Sequence, residues 1–436
     1  MGYRKRNGEN GLKNYSLPGF NIDLTPLFHF APNLQNWDPQ SLFEKAHAQL
    51  KSKFENGSIG FFDWPATLTS DELKKIEQIS QELKSQYEGV LICGIGGSHL
   101  GAAAVIEALR SEEDEKQFPI FWLNNVDRWA IERAKSFVSK KKVATLLISK
   151  SGNTTETLSG FFHLSSLLDP KGIVIITDPE SGELRRWVNS HGYTHLPVPP
   201  NIGGRFSVLT SVGLLPLALG GVNIHEMIEG AKEFRSYIAA QPLQENPAYG
   251  YALTSFWWDT QEKHSIQYLM PYLSELKLLT DWYVQLWAES LGKKNIHGKS
   301  VGPTFVGALG TRDQHSLLQL FKEGPKDKVI GFIDCKPRTQ GLTVGSPQLS
   351  SPQFEYLFQH TFEEINSKAL SATEQSLNAE RVPTYRVLFE DLTARTLGSF
   401  LLFQELACAI AGEFYEVNAF NQPGVEEAKQ LLRKSL

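Results

Sequence analysis

Short apolar runs at Gly89–Cys93, Phe118–Leu123, Val143–Ile148 and Gly172–Thr177 each precede a stretch with helical spacing, and this alternation limits the possible folds more than any other feature of the chain. A strand reached through a helix lies parallel to its predecessor, and helices then cover both faces of the sheet. A second series starts at Ser265–Tyr272 and continues through the helix-like Ser274–Leu291, the run Lys328–Cys335 and Tyr385–Phe389 before another long helical segment. The chain therefore reads as α/β with two such domains. A serine before two acids at Ser70-Asp71-Glu72 predicts a helix start, with the helix running to about Gln86. Residues 1–60 are polar and turn-rich and read as an N-terminal arm; prolines from Ala239 to Tyr249 mark a join, giving domains at 61–240 and 250–436. With 436 residues, 41% of them apolar, the chain can fill two cores.

Charge and cysteine usage exclude several function classes. A net charge of −5 gives no general attraction to nucleic acid. Cys93, Cys335 and Cys408 are far apart and odd in number, so they form neither a disulfide framework nor a zinc spacing, and a reducing, cytoplasmic setting is expected. The charged start Met1–Gly8 lacks the apolar stretch of an export signal, and Arg6 stands where myristoylation of Gly2 would need Ser or Thr. The longest apolar stretches, Ser207–Ile224 and Leu397–Gly412, are interrupted by Thr210, Ser211 and Pro216 and by Gln404 and Glu405, so both read as core helices and not as membrane spans.

Five polar loops carry the candidate chemistry. Gly94-Ile95-Gly96-Gly97-Ser98 follows a strand and precedes a helix, where glycines let a ligand approach the backbone; His99 breaks a dinucleotide fingerprint, Leu100 breaks a nucleophile elbow, and a plain tight turn is the ordinary alternative. Ser149-Lys150-Ser151-Gly152-Asn153-Thr154 opens the next helix with more hydroxyls than an N-cap needs, a pattern suited to a phosphate dianion. Gly203-Gly204-Arg205 sets an arginine on a turn, although alone it reads as a solvated or salt-bridged side chain. Glu289 follows an apolar, aromatic stretch beginning at Gln285; burial beside Trp287 would raise its pKa and make it a base, but from spacing alone an exposed helix glutamate is the favoured reading. His315 stands in the polar turn Gly310–Ser316. Gly192 between His191 and His195 argues against a helical metal pair, and Gly298-Lys299-Ser300 lacks a glycine at the distance a nucleotide loop requires.

Taken in order, Gly94–Ser98, Ser149–Ser151 with Thr154 and Thr157, Gly203–Ser207, Glu289-Ser290 before Gly292-Lys293, Asp313–Ser316 and Phe420–Lys429 resemble the glucose-6-phosphate isomerase (phosphoglucose isomerase) family, in its shorter bacterial branch. Asn421 stands where many members have an aspartate, and Pro423 where the longer branch has an aromatic. The resemblance implies two sugar-isomerase (SIS) domains, each a doubly wound parallel sheet in an αβα sandwich, with a C-terminal helix and a site completed across a homodimer. It implies that Gly97, Ser98, Ser149, Lys150, Ser151 and Thr154 hold a sugar phosphate, and that Gln285 and Gln422 contact it or position neighbours. It further implies Arg205 beside the reacting carbons, Glu289 as the base and His315 with Lys429 at ring opening, His315 coming from the partner subunit. No metal and no cofactor are implied. Two other readings compete: a phosphosugar-binding regulator or amino-sugar isomerase of the same fold would lack the base, and a nicotinamide dehydrogenase, suggested by Asp127, is opposed by His99.

Overall fold

Five strands, all parallel, make the first sheet in the spatial order Ile120–Leu123, Gly89–Cys93, Val143–Ile148, Ile173–Thr177, Thr194–Pro197. The computed structural model describes residues 14–110, 118–336, 341–345 and 352–436; the readings made on Met1–Gly8 lie outside them. Side chains alternate across this sheet. Val90, Ile92, Leu146 and Ile148 face one core, and Leu91, Cys93, Val143 and Leu147 face another. Burial on both faces explains why these strands read as unbroken apolar runs.

The second sheet runs Asn14–Leu17, Phe20–Asp23, Thr384–Phe389, Lys328–Cys335, Ile266–Pro271, Thr304–Gly307. Its last four strands are parallel, whereas Phe20–Asp23 pairs antiparallel with Thr384–Phe389. Two residues of the N-terminal segment, Pro18 and Gly19, turn this added hairpin, with Gly19 at φ 88°. Most expected strands appear within two residues of their predicted ends. Thr194–Pro197 and Thr304–Gly307 were not anticipated: both are edge strands with exposed polar positions, which interrupt the apolar signal. The helix Ser70–Gln86 forms as read, but its cap is Thr69, whose hydroxyl and backbone exchange hydrogen bonds with Glu72.

One hydrophobic core runs between the sheets. The helix Ala394–Phe414, which includes Leu397–Gly412, lies inside it with every residue from Thr396 to Phe414 buried, and Ser211–Leu219 is likewise enclosed. Among the described residues, Ala394–Phe414 is the helix long and apolar enough to cross a membrane; here protein surrounds it completely. It packs on the helix Ile224–Ala239 without space for side chains at the crossing, because a Cβ on Gly398 would lie 1.9 Å from the Met227 carbonyl oxygen. We predict that Gly398→Ala forces the two helices apart and costs about 1–3 kcal/mol, measured by urea unfolding; an unchanged midpoint would contradict it.

Candidate functional site

In the first sheet the strands Gly89–Cys93 and Val143–Ile148 are neighbours, and the chain leaves them in opposite directions along the sheet. Such a switch point opens a crevice at the carboxyl ends of the two strands. The loops beginning at Gly94 and Ser149 emerge there.

In the second loop, buried Ser149 places its Oγ 2.8 Å from Thr154 Oγ1 and 3.5 Å from Ser151 Oγ. Thr154 holds the N-cap position of the helix Thr155–Leu164, yet its side chain makes no capping bond. On the first turn, Thr157 Oγ1 is buried without a hydrogen-bond partner among the described residues. Free first-turn N–H groups beside several short hydroxyls suit an anion, as the sequence suggested. Lys150 is used differently. Its ammonium donates to the Pro200 and Ile202 carbonyls at 2.7 and 2.8 Å, tying this loop to the one that carries Arg205, and burial lowers its pKa.

The first loop closes against the same segment. A Cβ on Gly97 would lie 2.1 Å from the Gly204 carbonyl oxygen, and one on Gly96 would lie 2.7 Å from Gln285 Nε2. Half-buried Ser98 ends the short turn Gly96–Ser98. Gln285 in turn donates to Glu289 at 3.4 Å, one helical turn later on Lys277–Leu291. Contacts thus link the Gly96–Ser98 turn to Gln285, Glu289 and the Arg205 turn, and Lys150 joins the Ser149 loop to the segment leading into that turn.

Arg205 is buried and its guanidinium donors are fully engaged. Nε donates to Ser290 Oγ at 3.0 Å; one Nη donates to Gln422 Oε1 and lies 3.1 Å from Glu289 Oε2; the other donates to the carbonyls of Ala419 and Asn421 at 2.8 and 3.1 Å. An arginine cannot lose its proton, so a buried one needs such a set of acceptors. Glu289 is part-exposed, as its spacing favoured, and is not buried against Trp287. Trp287 turns to the opposite side of its helix and donates to Gln404 at 3.0 Å, while the Glu289 side chain is 27% exposed and faces Arg205. Helical geometry separates the two: positions two apart point in different directions.

Among the described residues, neither His315 nor Lys429 makes a hydrogen bond or ion pair with Glu289. His315 is exposed on the first turn of Gln314–Glu323, and its imidazole has no hydrogen-bond or ion-pair partner among the described residues. Before it, Arg312 holds the Asp313 carboxyl below the usual carboxylate range. Lys429 pairs with Glu426 at 2.7 Å on the exposed helix Pro423–Ser435. Gln422 precedes that helix at Arg205, and near its other end Arg433 donates to the Asn153 carbonyl at 3.4 Å, so the helix that carries Lys429 is anchored at both ends. Sequence reasoning assigned no role to Ser290 or Arg433, or to the carbonyls of Ala419 and Asn421. Ser290 was visible in its motif; main-chain carbonyls carry no side-chain signal, and Arg433 looks like any base ending a helix.

Two α/β lobes with mainly parallel sheets, polar loops at strand carboxyl ends and one carboxylate against a buried guanidinium have the layout expected of the SIS fold. The chain matches the phosphoglucose isomerase family over residues 73–169 and 193–436. A glucose-6-phosphate isomerase of Carboxydothermus hydrogenoformans is 36% identical over 405 residues, covering 89% of this chain and 87% of that one. Among solved structures, a hypothetical protein of Thermus thermophilus aligns with TM-score 0.86 and 30% identity, covering 95% of this chain and 99% of that one. A glucose-6-phosphate isomerase of Chlamydia trachomatis shares the fold at TM-score 0.78 and 20% identity, over 97% and 89% of the two chains. The chain belongs to the phosphoglucose isomerase family.

The contact at Gly97 generates a prediction. Gly97→Ala would push the first loop off Gly204 and the Arg205 turn, and a displacement near 1 Å at a reacting centre costs on the order of 10²-fold in rate. Steady-state turnover of the variant is expected to fall by about that factor with the far-ultraviolet spectrum unchanged; wild-type turnover would refute the tight fit.

Proposed function

We propose that Glu289 transfers a proton between adjacent carbons of a bound hexose phosphate while Arg205 stabilises the charge that forms, in an enzyme interconverting glucose 6-phosphate and fructose 6-phosphate. The observation that carries this reading is the 3.1 Å approach of Glu289 to an immobilised guanidinium beside the crevice that holds the Ser149 loop. Anchoring the phosphate by Ser98, Ser149, Ser151 and Thr154 uses remote binding energy to fix the reacting carbons. Gly97 lets the sugar approach the backbone, and Lys150 holds the phosphate loop against the Arg205 loop.

The sugar ring must open first, with a proton delivered to the ring oxygen and one taken from the anomeric hydroxyl, work suited to His315 and Lys429. The exposed imidazole of His315 fits a group lent to the site of a second subunit in a homodimer. Glu289 then removes the proton from carbon 2, giving a planar cis-enediolate, and returns one at carbon 1. Gln285 and Gln422 keep Glu289 and Arg205 in place. Positioned acid–base catalysis supplies about 10²–10⁴-fold, so orientation and electrostatics must supply the rest. Arg205 needs no reorganisation for this because its partners are already made. A cytoplasmic setting fits a charged sugar-phosphate substrate.

Three measurements check this. Glu289→Gln should retain affinity for the sugar phosphate and abolish exchange of the carbon-2 hydrogen with solvent; continued exchange would identify another base. Replacing Ser149 and Thr154 together by alanine should raise the inhibition constant of a phosphate-bearing inhibitor by at least about tenfold, as expected for lost charge-assisted hydrogen bonds, and an unchanged constant would remove this loop from the phosphate site. Mixing Glu289→Gln subunits with His315→Ala subunits should restore about a quarter of wild-type turnover, since half the dimers are mixed and each has one intact site. No recovery after subunit exchange would place His315 in its own subunit's site.

A further inference from the structure

We propose that Lys293 is a positioning residue for the isomerisation: it pins the turn Asn418–Gln422 to the end of the Glu289 helix and so fixes the orientation of Arg205. This inference rests on the functional reading above and extends it to a residue to which that reading gives no task. Lys293 follows the helix Lys277–Leu291 by two residues. Its ammonium donates to the carbonyls of Asn418 and Asn421 at 2.5 Å each and to Asn421 Oδ1 at 3.2 Å, so three acceptors from one turn meet the three donors of the amine.

The same turn supplies Arg205 with three acceptors: the carbonyls of Ala419 and Asn421, and the Gln422 side chain. The Asn421 carbonyl is therefore shared by two cations from separate segments. Burial, with Arg205 close by, lowers the Lys293 pKa to about 8, the mark of an ammonium that has exchanged water for protein oxygens. Packing gives the turn little other support on that side. A cavity of about 620 Å³ lies against it, lined by Lys293, Ile296, Val301, Asn418, Asn421 and Gly424 among others.

Removal of the ammonium frees the Asn421 carbonyl and Gln422 to rotate, and the guanidinium loses the geometry that faces the reacting carbons. None of the hydrogen-bond partners of Lys293 belongs to the Gly94 or Ser149 loops, so phosphate anchoring stays intact. The expected signature is a selective loss of kcat.

The test is steady-state kinetics with fructose 6-phosphate on the wild type and on Lys293→Met, Lys293→Arg, Gln422→Ala and the double variant Lys293→Met/Gln422→Ala. Lys293→Met should lower kcat by at least about tenfold, with KM within about twofold, and Lys293→Arg should recover most of that loss. The double variant should be no slower than the worse single variant, because both substitutions act through Arg205. Should Lys293→Met fail to fold by circular dichroism, Lys293→Gln is read by the same criteria. Unchanged kcat in a Lys293 variant, a loss confined to KM, or fully additive losses in the double variant would overturn the proposal while leaving the isomerase reading in place. A folded wild type that does not interconvert the two sugar phosphates would overturn both.

Discussion

A single buried guanidinium organises the functional half of this molecule. Arg205 has no water to share its charge with, so its donors must find acceptors within the protein, and they find them on two other segments: Glu289 and Ser290 from one helix, and the turn Ala419–Gln422. Leaving a buried charge unpartnered costs several kcal/mol, so these segments are obliged to converge wherever Arg205 lies. That obligation holds Glu289 beside the loops that leave the first sheet. The cation is thus a structural clamp that holds three segments together.

The sheets put the clamp where a substrate can use it. In the first sheet the switch point lies between the two strands whose loops carry Gly97, Ser98, Ser149, Ser151 and Thr154, so their carboxyl ends open one crevice. The second sheet contributes through the helix Lys277–Leu291, which reaches from its strand Ile266–Pro271 to the first lobe and delivers Glu289 at its far end. A shared apolar core between the sheets, built round Ala394–Phe414, joins the lobe that carries the Ser149 loop to the helix that carries Glu289.

Much of this was legible because burial writes itself into sequence. Strands covered on both faces must be apolar throughout, so Gly89–Cys93, Val143–Ile148 and Lys328–Cys335 appeared at their observed limits. The hydroxyl-rich loop after Ile148 was equally plain, since a helix start with spare short polar side chains has few other uses. Edge strands with one wet face were lost, as was the hairpin Asn14–Asp23, whose partner Thr384–Phe389 lies more than 350 residues away in the chain. At Trp287 nearness in sequence is not nearness on a helix: the indole faces Gln404, and Glu289 takes the part-exposed side its spacing favoured.

The sequence alone determined the α/β class, the two strand series, the six motifs and their order, because each depends on local periodicity or on residue types within a few positions. Only the tertiary structure decided which partners those residues take. It turned Lys150 toward two carbonyls, set Arg205 against Glu289, left His315 exposed, and bound Lys293 to the turn before the last helix. The physical reason is that a hydrogen bond or ion pair across 50 or more residues depends on the path of the backbone between its ends, and no local pattern encodes that path.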